Sequence, residues 1–362
     1  MNTNKSILSL ALAVLLALPL AVSARVPKRI YLEKTRVACV GNSITYGLTL
    51  ADPATESYPT QLQQMLGDGY EVGNFGKSGA TLLRHGHRPY TEQEEWAKAK
   101  AFKGDIAVIH LGVNDTDPRN WPFYRDEFVS DYLALIDTLR QQNPKCRVLV
   151  ALLSPITHNH PRFESGTQQW HEEIQEAIKT VARVGKAQLI DFHKPLYAYP
   201  QLLPDAVHPN KEGATMLART VCTAILGNYG GLQMPMTYSD NMVLQRDREL
   251  TIHGTANAGE RVTVSITRPD AAKGKAANGA KHKKGKQPMR VRALKTEVQT
   301  ATAKADMNGY WQVTLRPQRA ENGLMLTVST DEKELIYNNV AFGEVWLCSG
   351  QSNMEFLSLI HI

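Results

Sequence analysis

Three side chains that could together perform nucleophilic acyl transfer stand far apart in the sequence. Ser43 lies in a short turn sequence, residues 41–45 (GNSIT), directly after an apolar run. Asp205 and His208 stand close together within residues 205–209 (DAVHP). A serine hydroxyl attacks an ester when an imidazole removes its proton and a carboxylate holds the other ring nitrogen. Ser43, His208 and Asp205 are therefore our candidates for nucleophile, base and orienting acid.

The same chemistry needs hydrogen-bond donors for the oxyanion that forms on the substrate carbonyl. Gly79 ends residues 74–79 (NFGKSG) and Asn114 lies in residues 112–115 (GVND), and both segments follow strand-like runs. A glycine at position 79 leaves the backbone open to close approach. We predict an oxyanion hole made of the backbone N–H groups of Ser43 and Gly79 and the side-chain amide of Asn114.

Each of these motifs also has an ordinary interpretation. A Gly-x-Ser after a strand is usually only a turn, and an Asp and a His three residues apart are usually surface side chains. A Gly-x-Asn-Asp after a strand can also be a simple turn. The four motifs occur together, each beside a predicted strand end or the last helix, and this combination favours catalysis.

Residues 36–226 alternate apolar strand-like runs with helix-like segments. Strands are predicted at residues 36–41, 70–75, 105–111, 147–153 and 187–192, and helices at residues 57–66, 128–139, 168–184 and 210–226. Strands that are apolar throughout and separated by helices indicate a parallel sheet covered on both faces. Because ligands bind at the carboxyl ends of such strands, this sheet would gather the four motifs at one edge.

This part of the chain resembles the SGNH (GDSL-type) hydrolases, whose four sequence blocks carry Ser, Gly, Asn and His. The matching residues are Ser43, Gly79, Asn114 and His208. The resemblance makes Asp205 the third triad member. It implies a three-layer, flavodoxin-like α/β domain over residues 25–231, esterase activity and no cofactor. Asn42 departs from the common Gly-Asp-Ser form, at a position outside the triad.

After residue 231 the pattern changes to short alternating segments separated by turn residues, which predicts a small antiparallel β-sandwich over residues 234–340. Residues 236–246 and 343–355 resemble the start of a sialate O-acetylesterase. In that family a β-sandwich precedes another SGNH domain, and the Ser of Gly-Gln-Ser-Asn is the nucleophile. Ser352 matches this serine, and residues 341–356 would be the truncated start of the second domain. Nothing downstream could supply the oxyanion Asn or the His that this serine needs, so we expect Ser352 to be inactive.

Residues 1–24 have the pattern of a secretory signal peptide. Lys5 precedes an apolar run at residues 7–22, and small residues lead up to a cleavage site after Ala24. A membrane anchor is the alternative, but the run is short for a bilayer and contains Pro19. We expect a periplasmic or secreted protein without a membrane span in the mature chain. Residues 357–362 (LSLIHI) resemble a translated sequencing adapter, and we expect them to be non-biological.

The net charge of +6 comes from one stretch of the chain. Residues 268–295 hold ten Lys and Arg against a single Asp, so the rest of the chain sums to −3. The Ala, Gly and Lys composition of this stretch is typical of a disordered loop, and it lacks the aromatic residues of a nucleic-acid-binding face. We therefore expect no nucleic-acid partner. Four cysteines without zinc-type spacing also predict no metal site.

Taken with the resemblance, these observations favour a secreted carbohydrate O-acetylesterase whose substrate is an acetylated carbohydrate, either sialic acid or another decorated glycan. Trp121 and Tyr124 follow the Asn114 motif and are candidates for a substrate rim, with packing as the alternative. A lipid or aryl esterase of the same fold remains an alternative, although no long apolar lid-like segment favours it. A non-catalytic glycan-binding protein is the other, and the complete set of motifs disfavours it. The oligomeric state is left open.

Overall fold

The sheet that carries the predicted motifs is parallel throughout. A computed structural model describes residues 33–158, 160, 167–269 and 296–348. The first five strands of this part are β1 (Thr35–Gly41), β2 (Tyr70–Gly76), β3 (Ile106–His110), β4 (Arg147–Leu152) and β5 (Gln188–Asp191). Their order in the sheet is β2-β1-β3-β4-β5, and each neighbouring pair is parallel. This is the doubly wound order of flavodoxin-like folds, so the predicted fold class is confirmed.

Helices cover both faces of this sheet. They are α1 (Ser43–Tyr46), α2 (Pro53–Glu56), α3 (Tyr58–Leu66), α4 (Glu94–Phe102), α5 (Trp121–Tyr124), α6 (Phe128–Gln142), α7 (Thr167–Val184), α8 (Lys194–Tyr197) and α9 (Lys211–Leu226). One group pairs α3 with α9, and the other packs α6 against α4 and α7. Both groups touch the strands, which gives three layers.

The core between these layers is apolar and aromatic. Every residue of β3 is buried, as expected for a central strand covered on both faces. Phe128 and Tyr132 on α6 are fully buried, and their rings lie 5.8 Å apart. The three strands that lead to the motifs are therefore held by packing on both sides.

The region after residue 231 forms two further sheets around its own core. Its strands are β6 (Val243–Gln245), β7 (Leu250–Thr255), β8 (Arg261–Arg268), β9 (Thr296–Lys304), β10 (Tyr310–Leu315), β11 (Glu321–Ser329) and β12 (Glu334–Gly343). Strands β7 and β10 pair in one sheet, and the order of the other is β6-β12-β11-β8-β9. The pairs are antiparallel except β6 with β12, which is parallel. Side chains of both sheets, such as Trp311 and Leu326, share one core.

The two regions contact each other at the edge of the first sheet that is opposite the motifs. Gln188, the first residue of β5, donates its side-chain amide to Met307 O at 2.9 Å and to Asn308 Oδ1 at 3.1 Å. The described residues from Lys34 onward belong to one compact unit. Since Gln188 begins a parallel strand, this contact lies at the amino ends of the strands.

Several sequence predictions fall outside the part of the chain that the structure describes. These are the signal peptide, most of the basic stretch at residues 268–295, Ser352 and the end of the chain. Within the described part of the chain, no helix has the length and apolar character needed to cross a bilayer.

The end of β2 requires a glycine, and this requirement predicts the effect of a substitution. A Cβ added at Gly76 would lie 2.1 Å from the backbone nitrogen of Tyr46 in α1, so the backbone itself would have to move. We expect Gly76→Ala to lower the free energy of unfolding by about 1–3 kcal/mol, the usual range for overpacking. Chemical denaturation monitored by circular dichroism measures this change.

Gly69→Ala is the matched control. A Cβ at Gly69 meets no heavy atom within 4 Å, and its φ is not left-handed. Equal losses in the two variants would contradict a steric cause at Gly76.

Candidate active site

Ser43 stands where β1 ends between two neighbouring strands. Gly41, the last residue of β1, pairs with Gly76 of β2 on one side and with His110 of β3 on the other. Ser43 then opens α1, and the side chain of Asn42 caps this helix by accepting the backbone N–H of Ile44 at 3.0 Å. The loops that follow β2 and β3 therefore flank the serine.

Ser43, His208 and Asp205 form one chain of hydrogen bonds. The Ser43 Oγ lies 2.7 Å from His208 Nε2, and His208 Nδ1 lies 2.6 Å from Asp205 Oδ2. With a proton on Nδ1 held by Asp205, Nε2 is free to accept the serine proton. Ser43 is 6% exposed, and the side chains of His208 and Asp205 are 15% and 43% exposed. The structure thus brings together the three residues that the sequence separates.

A tight turn presents Asp205 and His208 side by side. The second carboxylate oxygen of Asp205 accepts the backbone N–H groups of Val207 at 3.1 Å and His208 at 2.7 Å. Partial burial raises the pKa of Asp205, but the hydrogen bonds from His208 and Val207 outweigh this effect and leave the pKa below its ordinary value. Asp205 is therefore an anion at neutral pH and can stabilise a protonated His208.

The turn is held by its surroundings. Ala206, between the two functional residues, has a left-handed φ of 71°, which non-glycine residues adopt only where their environment enforces it. Its N–H donates to Leu203 O at 2.9 Å, and its carbonyl accepts the N–H of Thr157 at 2.8 Å. Both backbone groups of the unusual residue are thus satisfied.

The loops after β2 and β3 bring Gly79 and Asn114 to the same edge as Ser43. Gly79 has a left-handed φ of 76°, and Asn114 begins a short 3-10 turn. The side-chain amide of Asn114 donates to Ala80 O at 2.9 Å, so the two loops are joined directly. That nitrogen carries a second hydrogen, which a ligand could accept.

The carboxylate of Asp115 anchors the loop that follows Gly79, called the Gly79 loop below. The sequence motif gave no role to Asp115. It is fully buried, and its carboxylate accepts the backbone N–H groups of Leu82 at 2.9 Å and Leu83 at 2.8 Å. Burial raises the pKa of Asp115 to about 6, against the lowering effect of the two N–H donors. Its position directly after Asn114 was the only signal in the sequence.

Asn120 is a second anchor that sequence reasoning missed. Its side-chain nitrogen donates to Asn114 O at 2.9 Å, and its side-chain oxygen accepts the backbone N–H of His87 at 2.9 Å. Asn120 therefore anchors the backbone of Asn114, the predicted oxyanion-hole residue. It also anchors the backbone of His87 in the loop that follows Gly79.

The two predicted rim residues differ in placement. Trp121 is only 3% exposed, packs edge-on against Phe128, and donates its indole N–H to Glu173 at 2.7 Å. The expected rim position of Trp121 is therefore wrong, because its ring has no free face for a sugar. Tyr124 is half-buried beside the ring of His85, with ring centroids 5.7 Å apart, so its rim role stays a prediction.

Ser43, His208 and Asp205 thus lie at the carboxyl edge of a flavodoxin-like sheet, which is the arrangement expected of an SGNH-type hydrolase site. Comparison with known proteins agrees with this class. Residues 39–216 match the GDSL-like Lipase/Acylhydrolase family. This part of the chain is a domain of that family, as the resemblance indicated.

Several known proteins are similar to this chain. An acetylxylan esterase from Xylanibacter ruminicola is 37% identical over 209 residues, which are 53% of this chain and 43% of the relative. This chain therefore spans less than half the length of that curated relative. A solved carbohydrate acetylesterase from Xanthomonas citri is 29% identical, with a TM-score of 0.25, over 34% of this chain and 22% of that chain. A solved GDSL-like lipase from Bacteroides thetaiotaomicron is 21% identical, with a TM-score of 0.42, over 53% of this chain and 87% of that chain.

The raised pKa of Asp115 predicts a pH dependence of stability. Between about pH 4 and pH 6 the folded protein keeps a proton on Asp115 that the unfolded chain has lost. The stabilisation from this group is therefore complete below pH 4, falls as the pH rises to 6, and is constant above. We compare the free energy of unfolding of the wild type with that of Asp115→Asn at each pH. We expect this difference to change by about 3 kcal/mol against the wild type between pH 4 and pH 7. Urea denaturation at fixed pH values measures it.

Asp137→Asn, which removes an exposed carboxylate on α6, is the control for this experiment. A difference that stays flat across the range for Asp115→Asn would show that Asp115 ionises in the folded protein as it does in the unfolded chain.

Proposed function

We propose that this protein is a serine carboxylic ester hydrolase that removes O-acetyl groups from carbohydrate. The observation that carries the proposal is the continuous hydrogen-bond chain from Ser43 Oγ through His208 to Asp205. That chain supplies a nucleophile, a proton carrier and an anion that stabilises the imidazolium. It lies within the segment that matches the acylhydrolase family.

In the first half of the proposed reaction, Ser43 Oγ attacks the acetyl carbonyl carbon while His208 Nε2 takes the serine proton. The tetrahedral intermediate then breaks its bond to the sugar oxygen, and His208 returns the proton to that oxygen. The sugar leaves with a free hydroxyl, and the acetyl group stays on Ser43. In the second half, His208 deprotonates a water that attacks the acetyl-serine. The second tetrahedral intermediate then breaks its bond to Ser43 Oγ, His208 returns the proton to that oxygen, and acetate is released.

The negative charge of both intermediates develops on the acetyl oxygen. We assign its stabilisation to the backbone N–H groups of Ser43 and Gly79 and to the remaining amide hydrogen of Asn114. Preorganised donors of this kind act without reorientation at the moment of reaction. The support is that Gly79 and Asn114 lie on loops that flank Ser43 and are joined through Ala80.

The choice of an acetylated carbohydrate as substrate has support from outside the site. The curated relative that is 37% identical is an acetylxylan esterase. The narrower proposal of sialic acid depends on the resemblance of residues 236–246 and 343–355 to a sialate O-acetylesterase. The proposal that the protein is secreted or periplasmic depends on the apolar run at residues 7–22.

Removal of the proposed nucleophile is the primary test. We expect Ser43→Ala to reduce kcat on 4-nitrophenyl acetate by about 10⁴ or more with the fold intact, because triad members act as a unit. Ser352→Ala is the matched control, since Ser352 stands in another Gly-x-Ser motif and is expected to contribute nothing. Equal losses in both variants would show that the active site is elsewhere.

Acetate release from a panel of substrates tests the acyl and sugar choice of the wild type. We expect acetylated xylan or O-acetylated sialic acid to be hydrolysed, and long-chain acyl esters to be poor substrates. Preferential hydrolysis of long-chain esters would favour a lipid esterase instead.

Asn114→Ala tests the oxyanion hole separately from the triad. We expect kcat to fall by about 10²–10³ with little change in KM, because the amide meets a charge that exists only in the transition state. Steady-state kinetics on 4-nitrophenyl acetate measures both constants. A change confined to KM would instead make Asn114 a residue that binds the ground state.

A further inference from the structure

The guanidinium of Arg88 lies beside the backbone of Gly79. The position that a Cβ of Gly79 would occupy lies 3.3 Å from Arg88 Nη1 and 3.6 Å from Arg88 Cδ. Because Gly79 lacks a side chain, the guanidinium lies directly beside one of the proposed oxyanion donors. Arg88 is also exposed to solvent, so a ligand can reach it.

Several hydrogen bonds fix the main chain around Arg88. Its carbonyl accepts the N–H of Thr81 at 2.8 Å, and the carbonyl of Thr81 accepts the N–H of Tyr90 at 2.9 Å. The start of the same loop is fixed by Asp115, and the backbone of His87 is fixed by Asn120. The position of the Arg88 main chain relative to Gly79 is therefore fixed by the loop.

Several polar side chains near Arg88 have carboxylate partners, whereas in the described part of the chain none is found for Arg88 or for the exposed Arg84 of the same loop. Arg119 donates two hydrogen bonds of 2.9 Å to the carboxylate of Asp117. Lys77 Nζ lies 3.0 Å from Glu95 Oε1, and His85 Nδ1 lies 2.7 Å from Glu127 Oε2. Across residues 33–158, 160, 167–269 and 296–348, no carboxylate lies within ion-pair distance of Arg88. Its planar fork of N–H donors matches the two oxygens of a carboxylate.

We propose that Arg88 binds a carboxylate on the sugar whose acetyl group is removed, so that the preferred substrates are acetylated acidic sugars. This inference rests on the proposed esterase function. The acetyl oxygen would lie at Gly79 and the sugar carboxylate at Arg88, so a single acidic sugar can satisfy both contacts. Either a uronic acid or a sialic acid supplies this chemistry.

The test compares substrates that differ only in the charge of this group. The first pair is an O-acetylated methyl glucuronide and its carboxamide, and the second is an O-acetylated methyl sialoside and its carboxamide. Acetate release gives kcat/KM for each compound, at low and high salt. The variants are Arg88→Gln, Arg88→Lys and Arg84→Gln, of which the last removes an exposed cation from the same loop.

For at least one pair, we expect the wild type to prefer the acid by about tenfold, as for a charge-assisted hydrogen bond at an exposed site. Arg88→Gln should bring this ratio close to one, Arg88→Lys should keep part of it, and Arg84→Gln should leave it unchanged. High salt should reduce the wild-type ratio. The pair that responds identifies the sugar acid.

Two results would overturn the proposal. One is a wild-type ratio near one for both pairs, and the other is an Arg88→Gln variant that lowers turnover of acid and amide equally. Failure of the esterase function itself would look different, because the wild type would then release no acetate from any compound or from 4-nitrophenyl acetate. A melting temperature for each variant confirms that it is folded.

Discussion

The loops after β2 and β3 are tied to each other by Asn114 and Asp115, and Ser43 follows the end of β1, the strand between β2 and β3. Asp115 accepts two backbone N–H groups of the Gly79 loop, and Asn114 donates to Ala80 of the same loop. These bonds are buried or partly buried, where a lost partner is costly because water cannot replace it. The spacing between the serine and the proposed oxyanion donors therefore depends on this tie and on the register of three parallel strands.

The same geometry explains how the second region can be attached without obstructing the site. Parallel strands have all their carboxyl ends at one edge, and Ser43, Gly79 and Asn114 follow three of these ends. Gln188 begins its strand, so the contact that it makes with Met307 and Asn308 belongs to the opposite edge. In the described part of the chain, the proposed catalytic residues all come from the first region. The sandwich can therefore differ in size or sequence without changing the triad.

Two charged side chains near Ser43 differ in whether they have a partner in the described part of the chain. Asp205 is an anion whose partner is His208, and it is directed at the side of the imidazole away from Ser43. The guanidinium of Arg88 lies beside Gly79, and no carboxylate in the described part of the chain lies within ion-pair distance of it. Asp205 is the proposed orienting acid for His208, whereas Arg88 is exposed and is the cation that we propose for binding the substrate. One site can thus combine a fixed proton relay with an electrostatic preference for acidic ligands.

Local sequence was enough to predict the strands and to nominate the candidate triad, because both depend on short segments of the chain. The runs that became β1, β3 and β4 are apolar throughout, as strands buried on both faces require. Helix α4 escaped prediction because it buries only Trp96 and Ala99, which leave no apolar stripe to recognise.

Only the tertiary structure decided which of these segments meet. The hydrogen bond between Ser43 and His208 joins residues 165 positions apart, and the anchor role of Asp115 depends on a loop 32 and 33 positions away. The same holds for the burial of Trp121 and for the position of Arg88 against Gly79. The type of a side chain determines whether it can be buried, charged or hydrogen-bonded. Its partner depends on how elements that are distant in the chain pack together.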